Sequence, residues 1–131
     1  MMGAQENVDV VRRGYAAFSS GDMATLSGLF ADDVVWTVFG TGRLSGPKNG
    51  RDAVLGFFGE TMALSGGTFR VSVLDIQGGE ERVFALHHLH AERDGKVLDQ
   101  NAVNVFTVVD GKVATVDDYS GDTRATAPFW D

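Results

Sequence analysis

Apolar residues recur every three or four positions in the first part of the chain, a spacing typical of an amphipathic helix. The apolar face of this predicted helix consists of Val8, Val11, Tyr15 and Phe18. Ser19-Ser20-Gly21 ends the helix, and Asp22 follows as a good N-cap for a short second helix. The apolar side of the second helix contains Leu26, Leu29 and Phe30.

A run of β-branched and aromatic residues from Val34 to Phe39 predicts a strand that stops at Gly40. The following stretch, 40–50, is rich in glycine and contains Pro47, so we expect a loop there. A third helix is predicted to begin near Asn49 or Arg51 and to end at Gly66-Gly67. Its apolar side contains Val54, Phe57, Phe58, Thr61 and Met62.

From Thr68 onward the helical spacing changes to alternation, which predicts strands. Four strands are expected, at about 69–77, 82–93, 97–109 and 112–119. Gly78-Gly79, Asp94-Gly95 and Asp110-Gly111 separate them, and Asp-Gly favours two-residue type I′ turns because both central residues need a positive φ. Helices followed by an antiparallel meander predict one α+β domain over 1–131, with three N-terminal helices on one face of a curved sheet.

The Asp94-Gly95 turn also predicts which side chains share a face of the sheet. One face carries His87 opposite Ala102 and Ala85 opposite Asn104, and this mixture of small and polar groups suits a cavity wall. The other face carries Phe84, Leu86, His88 and His90 beside Val105, Val103, Asn101 and Asp99. Both faces are therefore partly apolar, whereas a sheet covered on one side should be mostly polar on the other. We expect a homodimer that covers the outer face.

Composition narrows the function classes further. The formal net charge is −7 and the basic residues are scattered, so neither nucleic acid nor a membrane surface is an expected partner. The chain has no cysteine, which excludes disulfides and thiolate metal sites. Apolar runs are shorter than the ~18 residues of a membrane span, and the first residues lack a signal-peptide pattern. We therefore expect a cytoplasmic protein.

Three segments resemble the SnoaL-like family: FADDVVWTVFG (30–40), GRDAVLGFF (50–58) and VFTVVDGKV (105–113). That family belongs to the superfamily of nuclear transport factor 2-like cone folds, which also includes ketosteroid isomerases and polyketide cyclases. The resemblance implies helices packed against a strongly curved antiparallel or mixed sheet, an apolar pocket, and dimerisation through the outer sheet surface. It says little about the reaction, because this fold supports enzymes, dimerisation modules and other roles.

The resemblance to ketosteroid isomerases implies that this chain carries different residues at the catalytic positions of those enzymes. The position of the catalytic base falls on Val38, which cannot accept a proton. The position of the protonated aspartic acid falls on Asn104, whose amide can still donate a hydrogen bond. The tyrosine position falls near Gly14, and Tyr15 is turned by about 100° around the helix axis. Ketosteroid isomerisation is therefore not expected.

SnoaL-like cyclases resemble this chain in having an acid–base carboxylate on the last strand. Asp117 and Asp118 are adjacent here, and only one of them can point inward. Strict pairing across the Asp110-Gly111 turn would set Asn104 opposite Asp117, but a single β-bulge would reverse the choice. We favour Asp118, because Val116 would then share the interior face.

Three polar residues are the candidates for catalysis. Asp118 in a Phe-rich cavity would have its pKa raised by desolvation and could act as a general acid or base, unless it lies solvated at the sheet rim. Asn104 would stabilise an oxyanion, and His87 would orient or shuttle a proton or simply be a hydrogen-bonded core residue. His88 and His90 share a strand face but have no convergent third ligand, so no metal is expected.

The expected ligand is a small apolar molecule, bound without a cofactor. In one interpretation the protein is a cofactor-free isomerase or cyclase that acts on an apolar carbonyl compound. In the alternative it is a non-catalytic dimeric ligand-binding protein, which the missing base at Val38 favours. The residues predicted to line the pocket are Tyr15, Phe18, Trp36, Val38, Phe57, Met62, Phe106, Val116 and Trp130.

Overall fold

The computed structural model describes residues 3–131, which form four helices and six strands. The helices are α1 (Ala4–Ser20), α2 (Met23–Leu29), α3 (Arg51–Leu64) and α4 (Thr123–Trp130). The strands are β1 (Phe30–Val38), β2 (Gly46–Asn49), β3 (Arg70–Gly78), β4 (Arg82–Arg93), β5 (Lys96–Val109) and β6 (Lys112–Ser120). The predicted α+β class, with three helices before the meander, is confirmed.

The strands form one mixed sheet in the order β2-β1-β6-β5-β4-β3. β1 runs parallel to β6, and every other neighbouring pair is antiparallel. β6 therefore lies between the first strand of the chain and the long strand β5. A side chain on the inner face of β6 can therefore contact residues of β1, which is far away in the sequence, as well as residues of β5.

Both Asp-Gly hairpins have the predicted turn geometry. Asp94 and Gly95 have φ values of 52° and 76°, and Asp110 and Gly111 have 50° and 78°. The first hairpin pairs His87 with Ala102 as predicted. In the second hairpin a register shift between Thr107 and Val108 places Asn104 opposite Asp118. Strict pairing across the turn is therefore wrong, and the bulged alternative is what the chain adopts.

Several boundaries differ from the sequence expectations because tertiary pairing overrides local signals. β1 begins at Phe30, which pairs with Val113, so Phe30 belongs to the strand and not to the second helix. The predicted loop 40–50 contains β2, whose backbone pairs with the end of β1. Gly78 lies inside β3 opposite Val83, and the turn after it is closed by a bond from Gly79 N to Arg82 O.

The terminal helix α4 was not predicted from the sequence. Asp122 caps it by accepting a hydrogen bond from Arg124 N, and Phe129 and Trp130 at its end are buried. They pack with Leu98 and Ala102 of β5 in a cluster separate from the main core under α1 and α3. Phe57 of α3 packs against both clusters, so the space beside Phe57 is where the two parts of the interior meet.

Candidate functional site

A cavity of about 100 Å³, here called the main chamber, lies between the helices and the inner face of the sheet. Its wall is mostly aromatic and aliphatic because α1, α3 and the inner face of the strands each turn an apolar side toward it. The aromatic part of the wall comprises Phe18, Phe30, Trp36, Phe57, Phe58, Phe69 and Phe106. Five polar residues interrupt this wall: Tyr15, Thr61, His87, Asn104 and Asp118. An apolar cavity with a few convergent polar groups is the usual form of a small-molecule site.

Asp118 is held on this wall by Trp36. The indole Nε1 of Trp36 donates a hydrogen bond of 3.0 Å to Asp118 Oδ2. The parallel pairing of β1 with β6 causes this contact, since Val38 lies opposite Asp118 and Trp36 is two residues away on the same face. Burial raises the pKa of Asp118 to about 6, while the Trp36 hydrogen bond and the Lys48 charge act in the opposite direction. The carboxyl group therefore titrates close to neutral pH.

Asn104, Tyr15 and His87 form a chain of hydrogen bonds along the same wall. Asn104 Nδ2 donates to Tyr15 Oη over 3.1 Å, and Tyr15 Oη lies 2.9 Å from His87 Nδ1. Burial lowers the pKa of His87 to about 4, so its ring is neutral at pH 7 and Nδ1 can accept from the tyrosine hydroxyl. Burial also raises the pKa of Tyr15 above its usual range, which keeps that hydroxyl protonated.

This chain of hydrogen bonds leaves one polar atom of Asn104 without a partner among the described residues. Asn104 is only 4% exposed, and its Oδ1 has no hydrogen-bond partner among the described residues. Such an atom costs free energy unless water or a ligand satisfies it. Asn104 is also directly opposite Asp118 across β5 and β6. The site thus combines a titratable carboxyl group with a polar amide whose hydrogen bonding is incomplete.

Asp117 lies on the other surface of the sheet. It pairs with Val105, which belongs to the outer face together with Phe84. Since side chains alternate between faces, Asp118 lines the main chamber and Asp117 does not. The bulge between Thr107 and Val108 decides this orientation.

The residues predicted to line the pocket divide into three groups. Tyr15, Phe18, Trp36, Phe57 and Phe106 line the main chamber, whereas Val38 and Trp130 line a second, smaller cavity next to it. Val116 is fully buried in the core and lines neither cavity. Met62 is 37% exposed and lines neither cavity. Thr61 occupies the inward position instead, because Met62 is about 100° further around α3.

Lys48 is a functional neighbour that the sequence reasoning missed. Its ammonium group donates to the carbonyl oxygens of Leu44 and Ser45 and lies 5.3 Å from the centre of the Phe57 ring. Its charge favours the ionised form of Asp118. No local pattern could have indicated it, since β2 itself lies in a stretch predicted as a loop.

The outer face carries a separate polar cluster. Asp99 accepts hydrogen bonds from His88 Nε2 and His90 Nδ1, at 3.0 and 2.9 Å. His90 Nε2 also lies 3.0 Å from Glu92. Hydrogen bonds to Asn101 and Asp99 raise the pKa of His88, and hydrogen bonds to Glu92 and Asp99 raise that of His90. Within residues 3–131, no group of three or more His, Asp or Glu side chains is arranged to hold a metal ion. No helix in the described part of the chain is long and apolar enough to cross a membrane.

Comparisons with known proteins agree with this architecture. Residues 11–116 match the SnoaL-like domain family. The chain is 38% identical over 125 residues to an uncharacterized protein of Mycobacterium tuberculosis, with 95% of each chain covered. It is similar to the structure of Bal32a from a soil-derived mobile gene cassette, at 39% identity, a TM-score of 0.94 and 98% coverage of both chains. An NTF2-like protein from Burkholderia xenovorans is 25% identical, with a TM-score of 0.82 and 100% coverage of both chains.

Proposed function

Because this chain belongs to the SnoaL-like family of the nuclear transport factor 2-like superfamily, we propose that it is a cofactor-free enzyme of the isomerase or cyclase type. Its substrate would be a small apolar carbonyl compound bound in the main chamber. The observation that carries this proposal is the position of Asp118, whose carboxyl group faces an aromatic cavity while Trp36 Nε1 holds one of its oxygens. A general acid–base group needs this combination of fixed geometry and a pKa near the working pH.

Asp118 would remove a proton from the carbon next to the substrate carbonyl. Oδ2 is occupied by Trp36, so Oδ1 is the oxygen left to accept that proton. With a pKa of about 6, most of the carboxyl group is ionised at pH 7, yet it is a stronger base than a solvated aspartate. The electron pair of the broken C–H bond would move into the carbonyl group and form an enolate. In a β,γ-unsaturated substrate the enolate is conjugated, and return of the proton from Asp118 to the γ carbon gives isomerisation. In a substrate with a second carbonyl group, attack of the enolate carbon on it gives cyclisation, and Asp118 returns the proton to the alkoxide that forms.

Asn104 would stabilise the enolate oxygen. One Nδ2 hydrogen is directed to Tyr15, and the second is available to an oxyanion. Tyr15 and His87 would act as positioning residues, because they fix the orientation of the amide through the hydrogen-bond chain. In an apolar cavity such a preoriented donor stabilises developing charge more than it would in water.

We also propose that the protein works as a homodimer through the outer face of the sheet. Phe84 and Tyr119 are 49% and 44% exposed there, and Tyr119 stacks on Phe39 with ring centres 4.7 Å apart. Leu86 adds to the same apolar surface. An apolar surface of this kind on a small protein favours association with another protein surface, and a second copy of the chain would supply a matching one.

The acid–base proposal can be tested with phenylacetone, a small aromatic ketone whose acidic protons exchange with D₂O. We expect the wild-type protein to accelerate this exchange, as followed by proton NMR. Asp118→Asn keeps the shape and the Trp36 hydrogen bond but cannot accept the proton, so the accelerated rate should fall about 100-fold or more. Asp117→Asn is the matched control, since Asp117 lies on the outer face, and it should retain the rate.

Two results would contradict the proposal. Equal exchange rates for Asp118→Asn and the wild type would remove Asp118 from the chemistry. Binding of phenylacetone without any acceleration would instead favour a non-catalytic ligand-binding protein. Binding is measured separately, by the shift in melting temperature that the ketone causes.

A further inference from the structure

A second chamber of about 70 Å³ adjoins the main chamber. The second chamber lies between the ends of β5 and β6, the segment 40–45 and helix α4. The two chambers share five lining residues: Phe57, Thr61, Phe69, Leu89 and Asp118. Asp118, the proposed acid–base group, is therefore at the junction and can contact a ligand that occupies both spaces.

The sizes of the chambers favour a ligand that extends across the junction. An apolar protein cavity of roughly 150 Å³ is known to hold benzene. At about 100 Å³ the main chamber is smaller than that cavity, but the two adjoining chambers together are larger. A ligand with a ring in the main chamber would therefore place its remaining atoms past Asp118, in the second chamber.

The wall of the second chamber is more polar than that of the main chamber. Gln100, Thr123 and Thr126 contribute to it, together with Ser120. Both polar atoms of the Gln100 side chain already have a partner, since Nε2 donates to Thr126 Oγ1 and Oε1 accepts from Asp122 N. Ser120 differs from them, because its hydroxyl oxygen is buried and has no hydrogen-bond partner among the described residues.

Ser120 continues a row of polar groups along the inner face of the sheet. It is two residues beyond Asp118 on β6, so about 7 Å separates their backbone positions. Asn104 lies opposite Asp118, and its Oδ1 is the other unpartnered buried atom of the row. Asn104 lines the main chamber and Ser120 the second one, with the acid–base group between them.

We propose that the second chamber is a subsite for a neutral hydrogen-bonding arm of the ligand, and that Ser120 is the residue that recognises this arm. The ligand class is then an apolar ring joined by a short chain to a hydroxyl, amide or carbonyl group. The inference rests on the proposed function, because it takes the main chamber as the place where the ring binds. A negatively charged arm is disfavoured by Asp118 at the junction, since Arg43, the cationic residue of this wall, is solvent-exposed.

The test uses two probes of the same shape, n-butylbenzene and 3-phenylpropan-1-ol, which differ by a terminal methyl or hydroxyl group. Dissociation constants for both are measured by NMR titration with the wild type, Ser120→Ala and Ser19→Ala. Ser19 is an exposed serine on α1 and serves as the matched control. Comparing the ratio of the two dissociation constants between a variant and the wild type cancels the general difference in hydrophobicity between the probes.

We expect Ser120→Ala to shift this ratio about 3- to 10-fold against the alcohol, the effect of one lost hydrogen bond, and to leave binding of n-butylbenzene unchanged. Ser19→Ala should leave the ratio at its wild-type value. An unchanged ratio in Ser120→Ala, with both probes still bound, would overturn the subsite and leave the proposed function standing. If neither probe binds to the wild-type protein, the subsite and the ligand-binding role of the main chamber both fail.

Discussion

Trp36 and Asp118 are 82 residues apart in the chain, and a hydrogen bond of 3.0 Å joins the indole nitrogen of one to the carboxylate of the other. The bond exists because β1 and β6 are parallel neighbours, although the strands come from opposite ends of the sequence. It gives the carboxylate a fixed orientation, and it is the strongest influence opposing the effect of burial on the pKa of Asp118.

Trp36→Phe should therefore raise the pKa of Asp118 further above 6. The variant keeps an aromatic ring in the core but removes the donor that favours the ionised carboxylate. The measurement is a carbon NMR titration of the Asp118 carboxyl group. Trp130→Phe is the matched control, since it changes the chain's other tryptophan, which lines the second chamber. A pKa that stays the same or falls in Trp36→Phe would show that the hydrogen bond has no such role.

Asp118 and His87 should make the stability depend on pH in opposite directions. The pKa of Asp118 is raised from 3.8 to about 6, so the native state binds more protons than the unfolded state between these values. The free energy of unfolding then falls as the pH rises, by about 3 kcal/mol in total. The pKa of His87 is lowered from 6.5 to about 4, so its contribution is present above pH 6.5 and is lost as the pH falls toward 4.

Urea unfolding of Asp118→Asn and His87→Gln at pH 4.5, 5.5 and 6.5 separates these two effects. Relative to the wild type, Asp118→Asn should gain stability as the pH rises, because it removes the carboxylate that is costly to bury. His87→Gln should lose relative stability over the same interval. Parallel pH profiles for the wild type and both variants would contradict the assigned pKa shifts.

The outer face can be tested by placing a charge on it. Phe84→Glu puts a carboxylate in the middle of the apolar surface and should convert a dimer to a monomer, as measured by sedimentation at micromolar concentration. Val109→Glu is the matched control, because Val109 is similarly exposed but lies at the end of the β5–β6 hairpin. A monomeric wild type would end the dimer proposal, and equal dissociation by both variants would place the interface elsewhere.

The backbone of Asn101 lies so close to Gly121, directly after β6, that this position has no room for a side chain. A Cβ atom there would lie 2.1 Å from the carbonyl oxygen of Asn101, which is far inside van der Waals contact. Gly121→Ala should lower the free energy of unfolding by more than about 2 kcal/mol. Gly59→Ala, in α3 with no atom within 4 Å of the new methyl group, should instead raise it by about 0.5 kcal/mol. Thermal or urea unfolding that ranked the two variants the other way would contradict this contact.

The sequence was sufficient for the elements whose signals are local. Helical spacing located α1, and the two Asp-Gly pairs located both type I′ hairpins, because the turn requires two residues with positive φ. The β4–β5 register followed directly, since a two-residue turn leaves no freedom in the pairing. The same register places His87 and Asn104 on one face of the sheet.

Tertiary structure alone decided the features that depend on contacts between distant segments. β2 lies in a glycine-rich stretch with Pro47 and is a strand only because β1 provides its pairing partner. Helix α4 is stabilised by the burial of the two aromatic residues at its end in the interior. The bulge between Thr107 and Val108 brought Asp118 to the cavity wall. A shift of one residue reverses every side chain that follows, and its free energy is set by the packing of the whole sheet and not by the local sequence.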